Sequence, residues 1–151
     1  MKRDYMQYVQ QIRTMDWEDI PVREVMSTPV REAAGTVPAT EAARMLCEER
    51  IGSILVRGTP DGILTDTDIV RAVKEGRDPQ RATVAELRSS PVVTVGASAH
   101  LQDAAELMTE HDIKKLLVTD GEEYVGVVTT TDLVDQAAPE LEEIISVFAT
   151  D

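Results

Sequence analysis

The sequence predicts an α/β protein made of two tandem strand-helix-strand-strand-helix repeats, with one helix before the pair and one after it. Three observations predict this. The phrase Gly62-Ile63-Leu64-Thr65-Asp66-Thr67-Asp68-Ile69-Val70 returns as Gly126-Val127-Val128-Thr129-Thr130-Thr131-Asp132-Leu133-Val134. In each copy an apolar run reads as a buried strand, and Thr-x-x-Asp then opens an apolar-periodic helix. Upstream, Val22, Pro29, Val30, Ala42, Ala43, Glu48, Ile51 and Val56 recur as Val84, Pro91, Val92, Ala104, Ala105, Glu110, Ile113 and Val118, all at an offset of 62, which becomes 64 after the hairpin. An offset that holds through a unit and slips only at a turn marks a true internal repeat. Finally, 151 residues at 42% hydrophobic can bury a core as one body or two small halves.

Residues 1–21 carry Tyr5, Tyr8, Val9, Ile12 and Met15 at helical spacing, an apolar stripe that packs on its own domain or on a second copy. The polar face is mixed rather than basic, which argues against a membrane surface. Pro21 is a boundary. The first repeat, 22–76, opens with a short helical turn and a strand begun at Pro29. Thr36 is placed to cap the next helix, with Pro38 in its first turn. That helix runs through Ala42, Ala43, Leu46 and Cys47 to about Arg50, and its apolar neighbours make Cys47 a buried packing residue. Ile51–Val56 is a strand, Arg57–Asp61 the turn, and Gly62 begins the next strand. The helix at Asp68 ends near Gly76. Residues 77–83 form a polar linker, and 84–137 repeat the scheme with two extra residues expected in the Asp120-Gly121 turn. In 138–151, Leu141, Ile144, Ile145 and Phe148 give a closing helix with one apolar face.

Composition limits function. The net charge of −13 opposes binding to a phosphate backbone. Only Lys2, Lys74, Lys114 and Lys115 are lysines, a balance that suits salt adaptation or an ordinary acidic surface. No apolar run reaches the roughly 20 residues of a membrane span, and a cytoplasmic location is expected. With one cysteine there is no intrachain disulfide, and His100 and His111 form no metal-spaced cluster. No nucleophile elbow or Gly-rich phosphate loop occurs. Asp66 and Asp68, two apart on a helix, point in different directions and make no catalytic pair. No catalytic or metal residue is expected.

The corners themselves suit a polar ligand. Each sets a Thr hydroxyl and an Asp carboxylate beside free N–H groups at the positive end of a helix. The same pattern is also a capping box, and one corner can serve both ends.

Over about residues 22–137 the sequence resembles a pair of CBS domains, the tandem arrangement called a Bateman module. The resemblance rests on Val-Arg-Glu-Val-Met-Ser-Thr-Pro-Val (22–30), Ile-Gly-Ser-Ile-Leu-Val (51–56), Gly-Ile-Leu-Thr-Asp-Thr-Asp (62–68) and their second copies. It implies two α/β units packed through their sheets in pseudo-two-fold symmetry, with two clefts for adenosine-containing ligands: AMP, ADP, ATP or S-adenosylmethionine. It also implies a homodimer in a flat disc. The family's ribose-binding aspartates map to Asp68 and Asp132, and its threonines to Thr65 and Thr129. The adenine slot maps to Val30, Arg31, Ile51 and Ser53, and to Val92, Thr94, Ile113 and Lys115. Two differences set the copies apart: Arg71 aligns with Asp135, and Gly52-Ser53 with Lys114-Lys115. Arg71 is a candidate ribose- or phosphate-contacting residue at the first site, and the lysines favour phosphates at the second. The expected function is a stand-alone adenine-nucleotide sensor acting on a partner enzyme or transporter. The alternative is a ligand-independent dimerisation scaffold whose corners are only caps.

Overall fold

The computed structural model describes residues 20–136, so the helices expected over 1–21 and 138–151 fall, Ile20 and Pro21 apart, outside the described residues. The chain divides into two compact units. A central unit comprises residues 30–92, and a split unit joins, among the described residues, 20–29 with 93–136.

The central unit contains β1 (Glu32–Ala33), α1 (Ala39–Glu48), β2 (Ser53–Val56), β3 (Gly62–Thr65), α2 (Asp66–Lys74) and α3 (Val84–Leu87). Its sheet has the order β1-β2-β3, with β1 parallel and β3 antiparallel to β2. The core gathers Ala42 and Leu46 of α1, Ile54 and Val56 of β2, Leu64 of β3 and Val84 of α3. In the split unit a 3-10 turn (Val22–Glu24) precedes β4 (Thr94–Gly96), α4 (Leu101–His111), β5 (Lys115–Asp120), β6 (Glu123–Thr129) and α5 (Thr130–Asp135). Its sheet, β4-β5-β6, repeats the same directions. Val22, Leu101, Met108, Leu116, Val118, Val128 and Leu133 belong to its core. The duplicated α/β architecture stands as the repeat predicted it.

The repeat in sequence and the unit in space are offset. The opening segment of each repeat is received by the body of the other. Arg23 N–H donates to Ala97 O at 3.0 Å, and Ala85 N–H donates to Gly35 O at 3.0 Å. Ser27 and Val127 exchange both backbone bonds, at 2.8 and 3.0 Å, as Ser89 and Ile63 do at 2.9 Å each. Val22 and Val84 are both fully buried, each contributing about 1.5–3 kcal/mol of apolar burial.

Several local expectations are corrected. The first strand begins at Glu32, not Pro29; Pro29 has no N–H to give a ladder, and pairing starts where Arg31 O accepts from Leu55 N–H at 2.8 Å. Thr36 does not cap α1. Pro38 is the N-cap, without a side-chain bond, because backbone carbonyls do the capping: Ala39 N–H donates to Ala82 O at 2.8 Å and Thr40 N–H to Pro79 O at 3.0 Å. Cys47 is exposed, since the buried stripe of α1 is Ala39, Ala42 and Leu46 and position 47 lies off it. The extra residues of the second hairpin lengthen its strands to 6 and 7 residues, against 4 and 4 in the first. Its turn is only Gly121 and Glu122, with Gly121 at φ +63°. Gly76 does end the first of the two corner helices: at φ +81° it lets Arg77 N–H reach back to Ala72 O and its own N–H to Val73 O, both at 3.0 Å.

Candidate functional site

Each Thr-x-x-Asp corner sits where an antiparallel hairpin hands over to a helix. β3 ends at Thr65, the N-cap of α2, and β6 ends at Thr129, the N-cap of α5. Register places Ser53 opposite Thr65 and Lys115 opposite Thr129, so directly facing side chains share one face of the ladder. The hairpins therefore bring Ser53, Thr65, Asp68 and Arg71 together in the central unit, and Lys115, Thr129 and Asp132 in the split unit.

Asp68 and Asp132 both occupy the third helical position, and both close a capping box. Asp68 Oδ2 accepts from Thr65 N–H at 2.9 Å, and the Thr65 hydroxyl donates to the same oxygen at 3.4 Å. Asp132 Oδ2 accepts from Thr129 N–H at 2.8 Å, while Asp132 N–H donates to Thr129 Oγ1 at 3.2 Å.

The remaining carboxylate oxygens differ. Asp68, 5% exposed, uses Oδ1 to accept from Arg71 Nη1 and from the Ser89 hydroxyl, each at 3.3 Å. Asp132 is half-buried, and its Oδ1 has no hydrogen-bond partner among the described residues. Such an oxygen can accept from a ligand hydroxyl as a charge-assisted bond, stronger than a neutral one. Beside it, Thr130 is buried to 1% exposure and keeps Oγ1 without a partner among the described residues.

The other sequence-derived positions are placed as follows. Val30 is half-buried, and exposed Arg31 forms an ion pair with Glu49 at 2.7 Å. Ile51 packs against the central core and Ile113 against the split-unit core. Thr94 and Lys114 are exposed, the latter lending its carbonyl to Thr130 N–H at 3.0 Å. Val92 is the last residue of the central unit, whereas Thr94 belongs to the split unit.

Ser89 was not among the sequence-derived site residues. Its signal was present, because Ser89 and Ser27 recur at the offset of 62, but only the structure shows the hydroxyl at Asp68. An open depression of about 290 Å³ in the central unit is lined by Arg77, Asp78, Arg81, Ala82 and Glu86, and none of the corner residues lines it. Among the described residues no His, Cys, Asp and Glu group is spaced to hold a metal ion, and no helix is long and apolar enough to cross a membrane.

Residues 22–75 and 84–138 each match the family model described as CBS domain. The chain belongs to the CBS-domain family, as a tandem pair. Among its relatives is the CBS domain-containing protein YhcV of Bacillus subtilis, 35% identical over 115 residues that cover 74% of this chain and 81% of that one. Among solved structures, the hexameric CBS-CP12 protein from bloom-forming cyanobacteria aligns with a TM-score of 0.71 at 24% identity, covering 85% of this chain and 81% of that one. The CBS domain pair of protein MJ0100, in complex with 5′-methylthioadenosine and S-adenosyl-L-methionine, aligns with a TM-score of 0.67 at 24% identity over 76% of this chain and 93% of that one. Tandem CBS pairs are, as a class, regulatory ligand-binding modules.

Proposed function

We propose that this chain is a cytoplasmic sensor module, not an enzyme. It binds an adenosine-containing ligand (AMP, ADP or ATP, with S-adenosylmethionine a further candidate) and passes its bound state to a separate enzyme or transporter. Thr129 and Asp132 are the ribose-facing residues, with Thr65 and Asp68 at the matching place of the first corner; Lys114 and Lys115 favour phosphates, and the working form is a homodimer without nucleic-acid or membrane contacts. The observation that carries this reading is Asp132: one carboxylate oxygen is fixed by Thr129 N–H, and the other has no partner among the described residues. A carboxylate so held is pre-oriented to accept from a sugar hydroxyl. The adenosine ligands held by the MJ0100 pair support the same ligand class. Regulation further requires that the ligand bind two states of the module with different affinity.

The capping boxes at both corners favour a second reading, a ligand-independent scaffold in which the corners only start helices. Isothermal titration of refolded, nucleotide-free protein with AMP, ATP and S-adenosylmethionine, at low and high salt, separates the two. Binding in the micromolar range, about −8 kcal/mol, lost in Asp132→Ala, is the expected result. No heat with any of the three on a folded protein would favour the scaffold.

A further inference from the structure

We propose that the chain closes its own first corner, so that ligand is taken at Asp132 and refused at Asp68. This rests on the sensor reading above and assigns Arg71 and Ser89 the role of specificity determinants. Among the described residues every donor to the Asp68 carboxylate comes from the central unit: Thr65 fills Oδ2, and Arg71 Nη1 and Ser89 Oγ fill Oδ1 at 3.3 Å each. A ligand hydroxyl must displace a cationic donor and a neutral one to reach that oxygen. Losing a single hydrogen bond to a charged group weakens binding by at least about tenfold.

The second corner is the internal control. Ser27 occupies the place of Ser89 and makes the same paired backbone bonds, to Val127 as Ser89 makes to Ile63. Its hydroxyl nevertheless makes no bond to Asp132 among the described residues. The place of Arg71 is taken by exposed Asp135, whose carboxylate repels Asp132 rather than donating to it. Both corners share the strand directions, the N-cap threonine and the third-position aspartate that accepts from its N–H. The side chains at these positions are what distinguish a filled corner from an open one.

The test is titration of the full chain with AMP and with S-adenosylmethionine, read as sites per chain. Wild type should bind one equivalent, Asp132→Ala none and Asp68→Ala one. Arg71→Asp combined with Ser89→Ala should bind two, and adding Asp132→Ala to that pair should leave one. Arg71→Gln with Ser89→Ala serves as a second opening variant. Wild type binding at one site while both opened variants stay at one overturns the closure and leaves the sensor intact. Binding lost in Asp68→Ala but kept in Asp132→Ala also overturns the closure. Absence of binding in every variant overturns the sensor reading and the closure together.

Discussion

Val84, the first residue of the second repeat, donates its N–H to Val37 O of the first repeat at 2.9 Å, and Val22 of the first repeat donates to Ala99 O of the second at 2.7 Å. Each repeat thus completes the other's body, and the smallest closed piece is not a repeat. A fragment of residues 30–92 holds a whole sheet, its helices and the buried Val84. A fragment of 22–83 lacks Val84 and the carbonyls of Ala99, Ala97 and Val127 that accept from Val22, Arg23 and Ser27 N–H. The expected outcome is helical circular dichroism and a cooperative urea transition for 30–92, and neither for 22–83. In the full chain Val84→Ala should lose about 2 kcal/mol, because the removed methyl groups leave a cavity in a fully buried site. A folded 22–83 fragment would show that the exchange of segments is dispensable.

At Gly126 an opening segment comes close against the sheet. A Cβ there would stand 2.6 Å from Met26 Sδ and 3.0 Å from Ser27 O. The sulfur can swing aside, but the carbonyl is held by Val127 N–H at 3.0 Å. Gly126→Ala should therefore destabilise by about 1–3 kcal/mol, as overpacking does. Combined with Met26→Ala, the loss should be smaller than the two single losses added, since the shorter side chain relieves the clash. Chemical denaturation of the four proteins measures this. Strict additivity would mean that Ser27 O alone carries the clash.

Thr129 holds the start of α5 whether or not a ligand is present. Thr129→Ala removes the acceptor of Asp132 N–H and should lower the stability of ligand-free protein by about 1 kcal/mol. Thr129→Ser should keep it. The readout is urea denaturation after nucleotide has been removed by refolding. An unchanged midpoint in Thr129→Ala would mean that the cap is not structural and that the hydroxyl serves binding alone.

The fold was legible because its signals are local and written twice. Hairpin, corner and helix period are read from neighbouring residues, and duplication separated them from chance. What was not legible came from distant backbone. Thr36 reads as a cap, yet Ala82 O and Pro79 O, some forty residues on, take that task. Arg50 and Asp112 end α1 and α4 in the left-handed region at φ 54°, a place where sequence rules look for Gly or Asn. At the corners, the two aspartates stand out through the duplicated Thr-x-x-Asp phrase, and the family resemblance is what points them at a ribose. The hydroxyl of Ser89 at Asp68 does not stand out, because it spans 21 residues and belongs to the other repeat.

Glu86 ties the linker to α3, and its titration gives a pH signature. Thr83 N–H donates to its carboxylate at 3.0 Å, the Thr83 hydroxyl at 2.9 Å, and Arg77 Nη2 at 2.7 Å. The Thr83 backbone bond is the leading cause of a pKa held below the ordinary 4.5, followed by the Thr83 hydroxyl and Arg77. A carboxyl lowered on folding contributes stability that is fully present above its unfolded value and is lost as pH falls through its folded value. Glu86→Gln cannot titrate. The stability gap between wild type and Glu86→Gln should be constant at neutral pH, narrow below about pH 4.5 and close at lower pH. The group is solvent-exposed, so the gap is small. Thermal melts of both proteins from pH 7 to pH 3 measure it, and other acid-sensitive groups cancel in the difference. A gap of one size across the whole range would mean that the bonds to Thr83 and Arg77 do not favour the ionised carboxylate, and that Glu86 caps α3 equally well when protonated.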